Sequence, residues 1–278
     1  MTGHTVPAYS QPIAFIGGGN MAGAIIGGLI RQGLPAAQVE VVEPFAQARD
    51  KLRDQFGVDA REQAGPALAR AGLVVWAVKP QAFKDAAAAV RPHTASALHL
   101  SVAAGIRSGS IAQWLGTQRV VRSMPNTPAL IGKGIAALYA RPGVSVQDKA
   151  AVEGVIATTG QSLWVEDEAQ LDAVTALSGS GPAYVFYFLQ AMTQAGVEMG
   201  LSRETAYQLS VATFAGAAAL AAASQDPPEA LRQRVTSKGG TTHAAITSME
   251  QDRMQALFIK ALRAAGRRAK ELGDEFGS

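Results

Sequence analysis

The chain has 278 residues, 48% of them apolar and 17% charged, with 25 Lys and Arg against 22 Asp and Glu for a net charge of +3, and no cysteine. That composition excludes a disordered chain, and the near-balance of charge, with no dominant basic run, speaks against nucleic-acid binding. Without thiols there are no disulfides, thiolate nucleophiles or Cys-ligated metals. The histidines at 4, 93, 99 and 243 lack metal-ligand spacing, so no metal is expected.

Residues 1–12 have no charged start followed by an apolar run, so no signal peptide is expected. The alanine-rich stretch 212–223 is too short for a bilayer span. A soluble cytoplasmic protein with no membrane partner is the expectation.

Strands are predicted at 13–16, 39–42, 73–78, 98–102, 120–124, 135–139 and 162–165, several of them apolar on both faces as buried parallel strands are. Between them, 20–32, 45–56, 81–90, 106–114 and 147–158 are long enough for crossover helices. This alternation predicts an α/β fold, with an N-terminal Rossmann-type doubly wound parallel sheet. After Val165 only helical patterns follow, at 168–177, 182–199, 203–223, 228–235, 242–249 and 252–272. Two domains are therefore expected, 1–166 with the sheet and 167–278 all-α. Pro182 suits a first helical turn, and Ser202 and Asp226 are N-cap candidates. Helices 182–199 and 203–223 are apolar on most of their surface. A helix of that kind is normally buried, so a subunit interface is expected there.

The first strand runs straight into Gly17-Gly18-Gly19-Asn20-Met21-Ala22 and a helix. Gly17 permits a tight turn, Gly19 lets a diphosphate approach the backbone, and Ala22 keeps the helix close to the sheet. The helix N-terminus supplies N–H groups to phosphates. Strand before, helix after and an acidic residue closing the next strand meet the context of a dinucleotide-binding turn. That acidic residue is Glu43, at the distance where a carboxylate takes the adenosine ribose hydroxyls. A carboxylate there favours NADH, yet Arg49 on the next helix can reach a phosphate, so NADPH and NADH both stay open.

Ligands of doubly wound sheets bind outside the carboxyl ends of the strands. Three further strand ends carry unusual residues: Ala77-Val78-Lys79-Pro80, Ser101-Val102-Ala103-Ala104-Gly105 and Met124-Pro125-Asn126-Thr127-Pro128. The small residues Ala103, Ala104 and Gly105 let a cofactor lie against the backbone. Lys79 can hold a phosphate, a ribose hydroxyl or a proton, or can be a surface lysine ending a strand. In the helical half, Ser237-Lys238-Gly239-Gly240-Thr241-Thr242 opens a helix. Gly239 and Gly240 allow positive φ and a nest of N–H groups for a carboxylate, completed by the hydroxyls. A capped turn between helices explains the same residues. Ser178-Gly179-Ser180-Gly181 lacks the order of a nucleophile elbow and reads as a linker. The basic cluster 263–270 reads as a solvated helix face.

Taken together, these motifs resemble the pyrroline-5-carboxylate reductase family along nearly the whole chain. The runs that carry the likeness are 16–22, 77–80, 101–105, 122–128, 177–184 and 235–242. The resemblance implies a homodimer, or a ring of dimers, with a Rossmann domain and an interlocking helical substrate-binding and dimerisation domain. It implies that Gly17 to Ala22 bind the diphosphate, that Ala77, Val78, Lys79 and Pro80 with Val102, Ala103 and Ala104 line the cofactor cleft, and that Asn126 lies by the nicotinamide. It also implies that Ser237, Gly240, Thr241 and Thr242 hold the substrate carboxylate, with Thr242 near the ring nitrogen.

Lys238 departs from the proline usual in the family, and Glu43-Pro44 from its small or basic residues. The acidic residue often upstream of the loop is matched to Asp226. The implied reaction passes a hydride to the C=N carbon of a cyclic imine, giving a secondary amine. A protonated imine is already electrophilic, so positioning and exclusion of water are the main tasks. Thr242 and, less strongly, Lys79 are the catalytic candidates. Two rivals are a β-hydroxyacid dehydrogenase, opposed by the lack of Lys after Gly181, and a dinucleotide-sensing module without turnover.

Overall fold

Each strand at the centre of the sheet sends alternate apolar side chains to opposite faces, and both faces are covered. In a computed structural model that describes residues 11–277, Ile13 and Phe15 of β1 (Ile13–Ile16) belong to one core, while Ala14 and Ile16 belong to the other. The expectations about His4 and most of the segment 1–12 lie outside the described residues. In chain order there follow α1 (Asn20–Arg31), β2 (Val39–Val42), α2 (Ala46–Phe56), β3 (Ala60–Arg61), β4 (Leu73–Trp76) and α3 (Pro80–Val90). Next come β5 (Leu98–Ser101), α4 (Ser108–Leu115), β6 (Val120–Met124), β7 (Gly134–Ala140), α5 (Val146–Ala157) and β8 (Gly160–Trp164). The first core joins Ile25, Ile26 and Leu29 of α1 with Val152, Val155 and Ile156 of α5. The second joins Phe83 and Val90 of α3 with Ile111 and Leu115 of α4, and Trp76 stacks on Phe83 at 4.7 Å. Each fully buried side chain of this size contributes roughly 1.5–3 kcal/mol, which is why apolar runs rather than alternating patterns mark these strands.

The sheet order is β3-β2-β1-β4-β5-β6-β7-β8. The chain reverses its direction of winding at β1, which pairs in parallel with β2 on one side and β4 on the other. The sheet departs from the all-parallel expectation at β7, which is antiparallel to β6. The link between Met124 and Gly134 holds only the 3₁₀ turn Thr127–Ile131, too short for the crossover a parallel neighbour needs. The two-residue β3 was not expected from the sequence. The strands expected to reach residues 78 and 102 stop at Trp76 and Ser101. Helix α5 starts on a capping box, in which Asp148 N–H donates to Ser145 Oγ at 3.1 Å and Ser145 N–H donates to Asp148 Oδ2 at 3.0 Å.

Beyond the sheet lie α6 (Gln170–Val174), a π turn at Thr175–Gly179, α7 (Gly181–Glu198), α8 (Arg203–Ala223), α9 (Pro228–Arg234), α10 (Thr241–Gln251) and α11 (Met254–Phe276). By contacts the chain forms two units, one running to Ser180 and including residues from Ala265 onward, the other Gly181–Ala264.

Within the second unit, α7 packs on α8 through Gly196, where an added Cβ would stand 2.7 Å from Ala206 Cβ. Phe258 meets Tyr184 and Phe188 edge-on. Ser202 caps α8, accepting the Thr205 N–H at 3.1 Å. Asp226 does not cap α9; Pro227 stands at that position, and Asp226 Oδ2 takes Arg234 at 2.6 Å and the Ser224 hydroxyl at 3.1 Å. Phe186, Tyr187, Leu209 and Leu220 are exposed on α7 and α8. The alanine stretch expected to fall short of a bilayer belongs to α8, which at 21 residues and a mean hydropathy of 1.3 is long and apolar enough to cross one.

Candidate active site

The four predicted strand ends form one continuous edge. Gly17 N–H donates to Val42 O and Ala77 N–H to Ile16 O, both at 2.8 Å, while Val102 N–H donates to Trp76 O at 3.0 Å. The turn after β1, the start of the Ala77–Pro80 segment and the start of the Val102–Ala104 segment are thus successive rungs at the β1/β4 reversal point, the position expected for a ligand. Gly17 has φ +95°, and a Cβ there would lie 2.6 Å from the Ala77 carbonyl oxygen, so only glycine fits.

Gly19 is the N-cap of α1, with no side chain capping the helix and no acidic residue in its first turn. An added Cβ at Gly19 would meet nothing within 4 Å. The space beside Gly19, at the start of α1 where first-turn N–H groups lack intrahelical acceptors, is open, and a diphosphate suits that position. Ala22 is fully buried against the sheet. A cleft of about 180 Å³ continues from Gly18, Gly19 and Asn20 along α1 to Lys51 and Phe56.

Glu43 does not project outward. Its Oε2 accepts the Gly18 N–H at 2.7 Å and its Oε1 accepts the Phe45 N–H at 2.8 Å, leaving the residue 6% exposed. Lys79 is exposed at the N-cap of α3, followed by Pro80 in the first turn. Ala77, Val78 and Val102 are half-buried, Ala103 is buried and Ala104 is exposed.

Asn126 stands at the end of β6 with its amide engaged. Its Oδ1 accepts the Ile135 N–H at 3.0 Å, and its Nδ2 donates to Ser178 O, in the π turn, at 3.2 Å. That turn closes with Ser180 N–H on Thr175 O at 2.8 Å. A Cβ on Gly179 would lie 2.5 Å from the Met124 methyl, so the segment read as a linker is packed closely on β6. Such π turns recur at functional sites.

In the helical unit, Gly240 is the N-cap of α10 and Thr241 its first residue, and no side chain caps the helix. Gly239 has φ +77°, but Gly240 does not adopt positive φ. Gly240 N–H donates to Ser237 O at 3.0 Å. The first-turn N–H groups of Thr241, Thr242 and His243, which lack intrahelical acceptors, are the ones that can receive a carboxylate. Ser237, Thr241 and Thr242 are exposed and Gly240 is half-buried.

The sequence reading missed a buried charge network in the sheet unit. Arg122 on β6 donates to Glu168 Oε1 at 2.6 Å, and Glu168 also accepts the N–H and hydroxyl of Ser108, each at 2.6 Å. Arg107 grips Asp172 with two bonds of 2.9 Å. Burial would raise the Glu168 carboxyl pKa, but the Ser108 and Arg122 donors outweigh it and hold the group below the usual carboxylate range. Burial lowers the Arg122 pKa against the pull of Glu168. An arginine in the middle of the apolar strand Val-Val-Arg-Ser-Met was the available signal. His99 on β5 was passed over in the same way; its Nδ1 accepts the Trp76 indole N–H at 3.0 Å, and burial pushes its pKa down to about 4.

A sheet in this order, with a glycine turn at its reversal point and an all-helical region after it, defines a dinucleotide-dependent oxidoreductase of the Rossmann type. Residues 168–272 match the family described as pyrroline-5-carboxylate reductase dimerisation, and residues 12–105 match NADP oxidoreductase, coenzyme F420-dependent. The pyrroline-5-carboxylate reductase of Pseudomonas aeruginosa is 49% identical over 95% of this chain and 98% of its own length. The solved pyrroline-5-carboxylate reductase of Coxiella burnetii superposes with a TM-score of 0.87 at 38% identity, covering 95% and 98% of the two chains. The Plasmodium falciparum pyrroline carboxylate reductase with NADP bound gives 0.85 at 26% identity, over 95% and 98%. The chain belongs to the pyrroline-5-carboxylate reductase family.

Proposed function

We propose that this chain reduces 1-pyrroline-5-carboxylate to L-proline with NADPH or NADH. One observation carries the reading: the likeness to the Pseudomonas aeruginosa reductase runs through 95% of the chain, glycine turn and helical region together. A sensing module that binds dinucleotide without turnover has no need of the second region. By role, residues 1–166 bind the dinucleotide and 167–278 bind substrate and dimerise.

The dinucleotide supplies the hydride that reduces the imine carbon. Gly17, Gly18, Gly19, Asn20, Met21 and Ala22 form its diphosphate turn; Gly17 and Gly18 shape it, their N–H groups being given to Val42 O and Glu43, while the approach past Gly19 to the start of α1 is open. Ala77, Val78, Pro80, Val102, Ala103 and Ala104 line the cleft, and Asn126 braces the nicotinamide end through its bond to the π turn. The N–H groups of Thr241 and Thr242, with the Ser237 hydroxyl, take the substrate carboxylate, and Gly240 shapes that turn rather than donating. The Thr242 hydroxyl orients the ring nitrogen, while Lys79 is the cation available to deliver a proton.

The dimerisation family match and the exposed apolar faces of α7 and α8 support a homodimer, in which the partner supplies the carboxylate loop, and rings of such dimers extend it. The dimerisation family match, which includes α8, supports a protein interface for that helix rather than a bilayer, and a cytoplasmic enzyme is part of the same proposal. The test is loss of NADPH or NADH absorbance when pyrroline-5-carboxylate is added. Oxidation that depends on substrate is expected, and none with either cofactor refutes the proposal. Proline soaked into crystals should place its carboxylate on the Thr241 and Thr242 N–H groups, and density elsewhere removes that assignment.

A further inference from the structure

We propose that Arg49, and not the strand-end Glu43, sets the dinucleotide preference of this chain, by binding a 2′-phosphate on the adenosine ribose. The inference rests on the dinucleotide-dependent reading above and names the residue that decides between its two cofactors. Glu43 closes β2, where a carboxylate facing the ribose selects for a free 2′-hydroxyl and repels a phosphate. Here both of its oxygens are occupied by backbone N–H groups, at 2.7 Å from Gly18 and 2.8 Å from Phe45. At 6% exposure it presents little surface to a ligand. Its charge ties the turn after β1 to the turn after β2, and neither discriminates against a phosphate nor reaches for a hydroxyl.

The cation at this turn is half-buried, with its side chain 23% exposed. Arg49, on α2, folds back so that its Nη1 donates to the carbonyl oxygens of Glu43 at 3.0 Å and Pro44 at 2.7 Å. Two main-chain acceptors fix the guanidinium at the carboxyl end of β2, where the ribose of a bound dinucleotide lies. Its Nη2 reaches the carboxylate of Glu62 at 3.4 Å, in a pair whose acid is 63% exposed. At 3.4 Å, with its acid largely in solvent, this ion pair contributes little, so Glu62 is a replaceable anion. A phosphate offers charge-assisted, fork-shaped bonding that a lone exposed carboxylate does not match. The guanidinium is therefore held in advance on one edge and open to exchange on the other, which suits NADPH.

The test measures binding rather than turnover, by calorimetric titration of the full-length protein with NADPH, NADH and 2′,5′-ADP. The expected wild-type result is NADPH bound about tenfold or more tightly than NADH, with measurable 2′,5′-ADP binding. Arg49→Gln should weaken NADPH about tenfold and abolish 2′,5′-ADP binding while leaving NADH within about twofold. Arg49→Lys should recover part of the NADPH affinity, and Glu62→Gln, which removes the competing anion, should tighten NADPH without changing NADH. Glu43→Gln should weaken both dinucleotides by the same factor.

Three results overturn the inference: a wild type that prefers NADH, equal loss of both cofactors in Arg49→Gln, or a gain for NADPH alone in Glu43→Gln. A wild type that binds neither dinucleotide instead removes the enzymatic reading on which the inference rests.

Discussion

Acidification should destabilise the sheet unit through one imidazole. His99 lies on β5 with 1% exposure, accepts the Trp76 indole N–H at Nδ1 and donates its other ring N–H to the Thr94 backbone. The neutral ring satisfies both partners; a protonated ring loses its acceptor and carries a charge among Trp76, Phe83 and nearby Arg119. Burial is the main cause of its fall from 6.5 to about 4. Because the folded pKa lies below the unfolded one, the folded state binds fewer protons, and the contribution is complete above pH 6.5 and shrinks as pH falls toward 4. The full span is worth about 3.4 kcal/mol, of which about 2 kcal/mol is lost by pH 5.

The assay is urea unfolding followed by tryptophan fluorescence at about pH 7.5 and about pH 5. Glu168 and Asp148, whose carboxyls are held below their ordinary values of 4.5 and 3.8, add little to the loss at that pH. His99→Gln keeps an oxygen that can accept from Trp76 and cannot take the proton, so most of the pH-dependent loss should vanish. A wild type whose stability differs by less than about 0.5 kcal/mol between the two conditions refutes the reasoning, as does a variant with the same loss.

Gly17→Ala forces a Cβ to within 2.6 Å of the Ala77 carbonyl at φ +95°, and should abolish dinucleotide binding while costing about 1–3 kcal/mol in thermal unfolding. Glu168→Gln strips the counter-charge from buried Arg122 and should cost about 3–5 kcal/mol, while the double variant with Arg122→Met recovers part of the loss in a denaturant cycle. The exposed Arg53–Asp50 pair, by contrast, should register less than about 1 kcal/mol. Phe186→Asp on the exposed face of α7 should shift the protein toward monomer in sedimentation and reduce turnover with it.

Where the chain could be read, the information was local. Apolar runs such as Ile13–Ile16 and the strand–glycine–helix order around Gly17 belong to contiguous residues, and the structure places them as expected. What escaped depends on partners far along the chain. Glu43 turns inward because Gly18 N–H, 25 residues away, meets it, and Arg122 finds its acid 46 residues on. Composition at Glu43 says carboxylate but not which way it faces. The reversal at β7 was legible in principle, since the connection from Met124 to Gly134 leaves no room for a crossover helix. The start of α10 at Thr241 depended on the Ser237–Gly240 hydrogen bond, which no spacing rule supplies.

The last turns of α11 have a consequence for the order of events on the ribosome. Phe276 packs into the core beneath α3 and α4. A Cβ on Gly105 would lie 3.3 Å from Leu272, and Arg107 lies against Gly273 and 3.9 Å from Asp274. All eight strands emerge during synthesis well before these residues do. The sheet must therefore wait, incompletely covered, while residues 181–264 are translated. That interval of exposed apolar surface is when chaperones have most to do, and a charged substitution at Leu272 should reduce soluble yield more than the same substitution at exposed Gln233 in α9.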